Sequence, residues 1–386
     1  METLQDRAST QSSQQINQRS FEIADKIALM RQALRETGTD AIRLQGTDWF
    51  SWATAGASHT VLLAAETGVA EILVTREGAW IMTSEIEAPR FQEEELTSYN
   101  GSLGAYQLFV YPWAEEAQRD AWIQEVTSNG FILSDRPPYP SAALPASLIQ
   151  QKQILIPNEL DRYRQVGRLA SEAMTEVLAS AKPDWTEAQL AGAGAAALWR
   201  RGLHPALTLA AGEKRLPRYR HPIPTQEPLG RMAMLVFCAR GYGLYANLTR
   251  FVCFGSLSTA EANLHNQVYI IEADLLDRCR PGARLDELYG AIAQAYQDSG
   301  YPHAIQEHHQ GGLTGYLSRE VVATPTTRDI LHPNMALAWN PSLPGAKVED
   351  TFAIAPDAPL ENLTFDPNWP STEIAGRLRP LPLELG

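Results

Sequence analysis

Apolar positions in the first third of the chain change from helical to strand spacing. Residues 21–38, FEIADKIALMRQALRETG, repeat apolar side chains every three or four positions and end on a glycine, which predicts an amphipathic helix with a glycine cap. Short strand-like runs follow, namely AIRL, TVLLAA, AEILVT, AWIMT, LFVYPW and GFILSD. They alternate with helical stretches, so we predict an α/β domain over residues 19–135.

Two stretches beside this domain lack any such periodicity. Residues 1–18 are rich in Ser, Gln and Thr, which predicts a disordered tail. Residues 136–148, RPPYPSAALPASL, hold four prolines and predict an interdomain connection, which we extend to residue 156.

Regular patterns resume after this connection and predict a second domain over residues 157–365. A tight RGYG turn joins two of its strands, MAMLVFCA and LYANLTRFVCFG. The residual segment 366–386 is predicted to be a C-terminal tail. The fold class expected from the whole pattern is therefore α+β with two domains. The elements predicted in the second domain are helices at 157–182, 185–202, 259–280 and 284–300 and strands at 232–239, 244–255, 334–341 and 347–354.

Composition narrows the class of protein. The 386 residues are 44% apolar and 20% charged, which is typical of a globular protein with a core. A net charge of −13 argues against binding to nucleic acid or to an anionic membrane, because both need clustered Lys and Arg. No apolar run is long enough to span a membrane, and the N-terminus lacks the apolar core of a signal peptide. Three cysteines without CxxC spacing favour a reducing compartment, so we expect a cytoplasmic protein.

Five segments of the second domain, in order, resemble the prolidase, aminopeptidase P and creatinase family. The segments are PNELDRYRQVGRLASEAM, GLYANLTRFVCFG, RPGARLDELYGAIAQAYQDSGY, HHQGG and KVEDT. The resemblance implies a pita-bread fold for the C-terminal domain and a creatinase-type α/β fold for the N-terminal domain. It also implies a homodimer, because relatives of this two-domain form commonly pair.

The resemblance also identifies where metal ligands would lie. The family holds two divalent metals with two Asp, one His and two Glu, which neutralise the ions and place an activated water between them. Those five positions correspond here to Val236, Asn247, His309, Asn340 and Glu349. Valine cannot bind a metal, and an Asn offers only a neutral carbonyl. We therefore expect no dinuclear centre and no cofactor, unless the register at Val236 is wrong.

The HHQGG segment leaves three roles open for His309. Neighbouring histidines on an extended segment point to opposite faces, so His308 and His309 should not bind one ion together. His309 with Glu349 could hold a single weakly bound zinc. Alternatively, His309 is a neutral, hydrogen-bonded pocket residue. The third role is acid–base or substrate-binding work by one or both histidines.

A third histidine, His221 in RYRHPIP, corresponds to the position at which the family has a second catalytic histidine. The present chain resembles creatinase, the metal-free branch of the family, which uses a histidine at this position and no metal. The resemblance thus implies a catalytic set of His221, His309 and Glu349. The alternative for His221 is an ordinary loop histidine.

Other polar residues are candidates for the wall of the pocket. The pocket-lining candidates are Tyr245, Asn247, His308, Glu320 and Asn340. Glu320 with Arg319 has a second interpretation as a surface ion pair, and Tyr245 and Trp339 are otherwise core residues. Residues 245, 247 and 249 should share one side of a strand. If Glu349 is buried without a metal, it needs donors, and we expect His309, an Asn amide or Arg250 to supply them. Arg250 is also expected to pair with Asp350.

Two classes of function remain open after these observations. One is metal-independent hydrolysis of a small C–N-bonded substrate, with creatinase-like logic. The other is a catalytically inactive pseudo-peptidase that binds a peptide or a protein partner in the old cleft. The expected ligand is thus a small molecule or a short peptide.

Overall fold

The computed structural model describes residues 4–96 and 106–386, and the chain divides into two compact units, Met1–Lys152 and Gln153–Gly386. The division falls at the end of a helix, inside the stretch 136–156 that the sequence assigns to the connection. Within the described ranges, no helix has both the length and the apolar character needed to cross a membrane. The three cysteines are free thiols.

The N-terminal unit contains one mixed five-stranded sheet. Its helices are α1 (Leu4–Thr37), α2 (Thr47–Ala53), α3 (Ala88–Arg90), α4 (Glu116–Val126) and α5 (Ala146–Gln153). Its strands are β1 (Ala41–Gly46), β2 (Thr67–Thr75), β3 (Ala79–Ser84), β4 (Gln107–Tyr111) and β5 (Ile132–Ser134). The strand order is β4-β3-β2-β1-β5, with the two outer pairs parallel and the inner pairs antiparallel.

Two predictions for this unit are wrong. Helix α1 begins at Leu4, so the polar segment predicted as a tail belongs to it, because Ser and Gln are tolerated in helices and no Gly or Pro interrupts them. Residues 1–3 lie outside the described residues. The TVLLAA run is a loop between α2 and β2 in which Val61 and Leu62 are 63% and 68% exposed. The strand in this region is β2, whose last four residues, Ile72–Thr75, are all buried.

The C-terminal unit contains four helices and two main sheets. Its helices are α6 (Pro157–Ser180), α7 (Glu187–Trp199), α8 (Thr259–Arg278) and α9 (Leu285–Asp298). The first sheet comprises β6 (His204–Gly212), β7 (Met232–Gly241), β8 (Leu244–Phe254) and β18 (Leu383–Leu385), in the order β18-β8-β7-β6. The second comprises β9 (Gly311–Thr314), β10 (Val321–Val322), β11 (Ala336–Trp339), β14 (Asp350–Ala353) and β15 (Glu361–Asn362), in the order β10-β9-β11-β14-β15. Two small hairpins pair β12 (Ser342–Leu343) with β13 (Ala346–Lys347) and β16 (Ser371–Ile374) with β17 (Arg377–Pro380).

Successive side chains in the first sheet point to opposite faces, so one face packs against helices and the other carries the candidate residues. Leu235 and Phe237 of β7 and Leu248 of β8 point into an apolar core shared with α6 and α7. The residues between them, such as Val236, point to the opposite face. Helices α8 and α9 share a second core with the second sheet. A bridge between Thr249 and Glu349 connects the two sheets.

The segment 366–386 is not a tail, because its side chains are part of the unit. Strand β18 pairs in parallel with β8, and Leu383 packs against the core beside α6. Arg379 is 1% exposed and donates two hydrogen bonds of 2.6 Å to the buried carboxylate of Glu272. A buried ion pair of this kind fixes the end of the chain in the fold.

Candidate functional site

The antiparallel pair β7–β8 presents a row of side chains on one face. In its register Val236 faces Thr249 and Cys238 faces Asn247, so Val236 and Asn247 are neighbours on the same side. Tyr245 lies on this side too, with the guanidinium of Arg240 5.6 Å from the centre of its ring. The prediction that residues 245, 247 and 249 share a side is confirmed.

One end of this row is apolar. Val236 is 3% exposed and packs in a cluster with Leu209, Met234 and Phe251. The void between this cluster and Lys347 is only about 10 Å³ in volume, which is room for about one water molecule. Val236, at the position that the resemblance assigns to the family's first Asp, is therefore packed among apolar side chains.

Glu349 is the buried charge at the centre of the site. It precedes β14, is 3% exposed, and its carbonyl accepts the backbone N–H of Thr249 at 3.0 Å. Its carboxylate accepts hydrogen bonds from Arg319 Nη2 at 2.7 Å, Lys347 Nζ at 2.8 Å and Thr249 Oγ1 at 3.0 Å. The prediction that Glu349 gains protein donors is thus confirmed.

The predicted identities of these donors are wrong. Arg250 reaches only the backbone oxygen of Glu349, at 3.3 Å, because its side chain is held by Asp350 at 2.7 Å, the predicted partner. Lys347 donates instead because it lies two residues before Glu349 on an extended segment and so shares its side. Burial acts to raise the pKa of Glu349, but Lys347 and Arg319 outweigh it and lower the pKa to about 2.

Asn247 and Asn340 occupy two family ligand positions as neutral amides. Asn247 Nδ2 donates to Thr314 Oγ1 at 3.0 Å, and the backbone N–H of Asn340 donates to Gln310 O at 3.0 Å. Both residues are buried, and the Oδ1 atom of each has no hydrogen-bond partner among the described residues. They bring polarity to the site without negative charge.

Three histidines lie together beside these buried groups. The ring of His221 lies 5.6 Å from that of His309 in a stacked arrangement and 5.9 Å from that of His308. The expectation that His308 and His309 point apart is wrong, since their rings are 6.2 Å apart and both flank His221. The physical reason is that this segment bends before β9 begins and is not an extended strand. His221 and His309 are exposed, whereas His308 is half-buried.

His308 has a structural role within this group. Its Nδ1 lies 2.6 Å from the carbonyl oxygen of His309, which can only accept, so Nδ1 carries the proton. Its Nε2 then accepts the hydroxyl of Ser342 at 2.7 Å. Because both ring nitrogens are engaged, His308 holds the segment against the hairpin β12–β13.

The electrostatic environment keeps the histidines neutral near pH 7. Burial and the charge of Lys347 lower the pKa of His308 to about 3. His309 remains reachable at its surface, but partial desolvation of its ring and the charge of Arg319 lower its pKa to about 4. The pKa of His221 is also lowered, by burial first and then by Lys347. Neutral imidazoles can accept a proton from water or from a ligand.

The remaining candidates are divided between the site and the fold. Arg319 turns toward Glu349 and pairs with its carboxylate, so it is a residue of the site and not a surface cation. Glu320 Oε1 accepts the backbone N–H of Leu317 at 3.2 Å and thereby closes the turn after β9. Lys347 is the functional residue that the sequence reasoning missed, although its spacing from Glu349 carried the signal.

These residues do not fit a dinuclear metal centre. Only His309 and Glu349 of the five family positions can bind a dication, and both carboxylate oxygens of Glu349 are already bonded to cations. In the part of the chain that the structure describes, no group of three or more His, Cys, Asp or Glu could hold a metal ion.

Comparison with known families agrees with this geometry of strands and helices. The model of metallopeptidase family M24 matches residues 161–356, which is half of the chain. The chain belongs to this family. A comparison with curated proteins finds no significant match.

Several solved structures share the fold over nearly the whole chain. A Xaa-Pro dipeptidase from Bacillus anthracis is 17% identical with a TM-score of 0.73, over 94% of this chain and 100% of that one. Prolidase from Pyrococcus furiosus is 15% identical with a TM-score of 0.68, over 87% and 99%. The N-terminal domain of the FACT complex subunit SPT16 from Cicer arietinum is 13% identical with a TM-score of 0.65, over 91% and 96%. The chain therefore shares the two-domain pita-bread fold of the Xaa-Pro dipeptidase and the prolidase.

Proposed function

We propose that this member of the family works without the dinuclear metal centre and hydrolyses a C–N bond of a small substrate. The observation that carries the proposal is the exposed pair of His221 and His309, stacked at 5.6 Å beside an ionised Glu349. Two neutral imidazoles that ligands can reach, next to a fixed carboxylate, are the groups that metal-free hydrolysis needs.

The proposed reaction uses His309 as the base. Its neutral ring accepts a proton from the water that attacks the carbonyl-type carbon, and a tetrahedral intermediate forms. When the C–N bond breaks, the imidazolium gives that proton to the departing nitrogen. An imidazolium with a pKa of about 4 is a strong acid for this second step, although the neutral ring is a weaker base in the first. General acid–base catalysis of this kind contributes about 10²- to 10⁴-fold in rate.

His221 and Glu349 support this chemistry from two sides. His221 stacks on His309 and can exchange the proton with solvent, since its ring is exposed. Glu349 is locked by Lys347 and Arg319, so it acts through its field on the histidines and keeps its charge throughout. The carboxylate favours the transient imidazolium of His309.

The test is hydrolysis of a panel of amides, ureido compounds and short peptides in the presence of EDTA. We expect a turnover that EDTA leaves unchanged and that His309→Ala lowers at least about 100-fold. His303→Ala, which changes an exposed histidine outside the site, is the control. An activity that EDTA abolishes and added divalent metal restores contradicts the proposal.

A second function is supported by the closure of the cleft. Asn247, Asn340 and Glu349 are 0%, 2% and 3% exposed, and Lys347 is 7% exposed, so the old catalytic floor is shut off from solvent. The second candidate function is therefore that of a catalytically inactive pseudo-peptidase that binds a peptide or a protein partner in the old cleft. The fold it shares with a subunit of the FACT complex is consistent with such use, although that likeness is one of fold alone.

The two functions differ in what His309 contributes to binding. A thermal-shift screen of small molecules and short peptides identifies the probes that raise the unfolding temperature of the wild type. If His309→Ala abolishes that shift, the histidine site binds the probe, and turnover of that probe by the wild type then supports the hydrolase. If His309→Ala and His221→Ala both leave the shift unchanged, the pseudo-peptidase function is the better one.

A further inference from the structure

We infer that Lys347 and Arg319 supply from within the chain the positive charge that two metal ions supply in relatives, and that they exclude metal from the site. This inference rests on the proposed metal-independent function and explains why the site takes up no metal. The loss of three ligands explains weak metal binding, whereas these two cations make the site actively unfavourable for metal.

The contacts of Glu349 leave no place for a metal ion. Each carboxylate oxygen is bonded to one cation, Oε1 to Arg319 and Oε2 to Lys347, at 2.7 and 2.8 Å. Thr249 Oγ1 adds a third donor at 3.0 Å. The side chains of Lys347 and Arg319 are 7% and 12% exposed, so neither is a mobile surface cation that an arriving metal could displace into water.

The chain fixes both cations in place. Lys347 ends β13, where it pairs with Ser342 of β12, and the hydroxyl of Ser342 is in turn bonded to His308. Arg319 Nη1 donates to the carbonyl oxygen of Ser318 at 2.6 Å, which orients the guanidinium toward Glu349. The hydrogen bonds therefore hold the ammonium and the guanidinium at the carboxylate without a ligand.

The net charge of the buried site determines whether binding of a metal ion is favourable. The five family positions here carry one negative charge, that of Glu349, and the two cations carry two positive charges. A dication would raise this buried sum from +1 to +3, which low-polarity surroundings strongly disfavour. With the two cations in place, the negative charge of Glu349 is already compensated without a metal.

The same count of charges predicts how many metal ions would bind if the family's carboxylates were restored. The triple variant Val236→Asp, Asn247→Asp and Asn340→Glu has four carboxylates, and two of them remain matched by Lys347 and Arg319. Two uncompensated charges suffice for one dication. Adding Lys347→Ala and Arg319→Ala leaves all four carboxylates unmatched, which suffices for two dications.

The experiment measures Co²⁺ binding by calorimetry and by the visible absorption of the bound ion, both independent of any activity. We expect no tight Co²⁺ in the wild type, one ion per chain in the triple variant and two in the quintuple variant. Two ions bound by the triple variant, with both cations still present, overturn the inference. Equal stoichiometry in the triple and quintuple variants overturns it as well.

A second measurement needs no new carboxylates and so does not depend on the folding of those variants. Lys347→Met is expected to lower the unfolding temperature, and Glu349→Gln in the same chain is expected to recover part of the loss, because the uncompensated charge is then gone. Lys214→Met, at an exposed lysine paired with Glu227, is the matched control. Strictly additive effects of Lys347→Met and Glu349→Gln contradict the counter-ion role. A failure to find hydrolysis leaves these results unchanged, so the two proposals fail separately.

Discussion

At the scale of single residues, the site depends on which charges are buried and which neighbours neutralise them. Glu349 stays ionised in a buried position because a lysine and an arginine lie within 2.8 Å of its oxygens. The histidines respond in the opposite way and lose their affinity for protons, because burial and those same cations act on them. Acid should therefore destabilise the fold through its histidines.

The pH dependence of stability can be predicted from His265, which is 2% exposed and packs against Phe251. Burial lowers its pKa from 6.5 to about 4. Between these values the unfolded chain binds the proton and the folded chain does not, so stability is complete above pH 6.5 and is lost as the pH falls toward 4. From pH 6.5 to 5 the loss from this residue is about 2 kcal/mol.

Thermal unfolding followed by circular dichroism at pH 7, 6 and 5 checks this expectation. The unfolding temperature should fall with pH, and His265→Leu should make the fall shallower. His303→Ala is the control at an exposed position. An unfolding temperature that rises as the pH is lowered would refute the assignment.

How much of the site the sequence could predict depends on spacing. The family resemblance implied the positions of Val236, Asn247 and Glu349. In the structure Val236 and Asn247 lie on one side of the pair β7–β8, and Glu349 bridges to Thr249. The position of Lys347 follows from the alternation of side chains along an extended segment, since residues 347 and 349 share a side. Arg319 was ambiguous, because its direction depends on a turn closed by Glu320 that no periodicity shows.

At the scale of elements, helices and strands with a strong period were predicted well and aperiodic segments were not. Helices α6 to α9 lie where their patterns predicted them. The TVLLAA run failed because a short apolar stretch with no alternation fits an exposed loop as well as a strand. The prediction for the C-terminal segment is wrong because its place depends on long-range contacts that local composition does not reveal, namely the pairing of β18 with β8 and the buried ion pairs of Arg379.

Arg379 gives a prediction about this segment. Its guanidinium neutralises both Glu272 and Asp350, and all three side chains are at most 1% exposed. Arg379→Met leaves two buried carboxylates with one cation, Arg250, so we expect a loss of about 3–5 kcal/mol in the free energy of unfolding. Chemical denaturation measures this difference.

A residue on the same strand provides the control. Arg377 pairs with Asp277, whose side chain is 56% exposed, so Arg377→Met should cost no more than about 1 kcal/mol. If the two variants lose the same free energy of unfolding, the buried network does not anchor β17. The expected ranking is a large loss for Arg379→Met and a small one for Arg377→Met.

At the scale of the whole molecule, the chain has the fold of its family but differs at the positions where the family binds its metals. The M24 family model covers residues 161–356, and the fold of a Xaa-Pro dipeptidase extends over 94% of the chain. Val236, Asn247 and Asn340 stand at three positions that the resemblance assigns to metal ligands. We therefore expect well under one tightly bound transition metal per chain. Elemental analysis of protein purified without chelator and without a nickel column measures it, and two stoichiometric metals would contradict the proposal.

The last prediction concerns assembly, and we propose that the protein is a homodimer. The two-domain resemblance implies pairing, and the loop between α2 and β2 presents Val61, Leu62 and Leu63 with 63%, 68% and 38% exposure. Three consecutive apolar side chains open to water are unfavourable in a lone chain and are typical of a contact surface. Light scattering at micromolar concentration should thus give twice the chain mass of 42.6 kDa. Replacing Val61 and Leu62 with Ser should weaken the dimer if this loop lies in the contact, while a scattering mass equal to one chain for the wild type would refute pairing altogether.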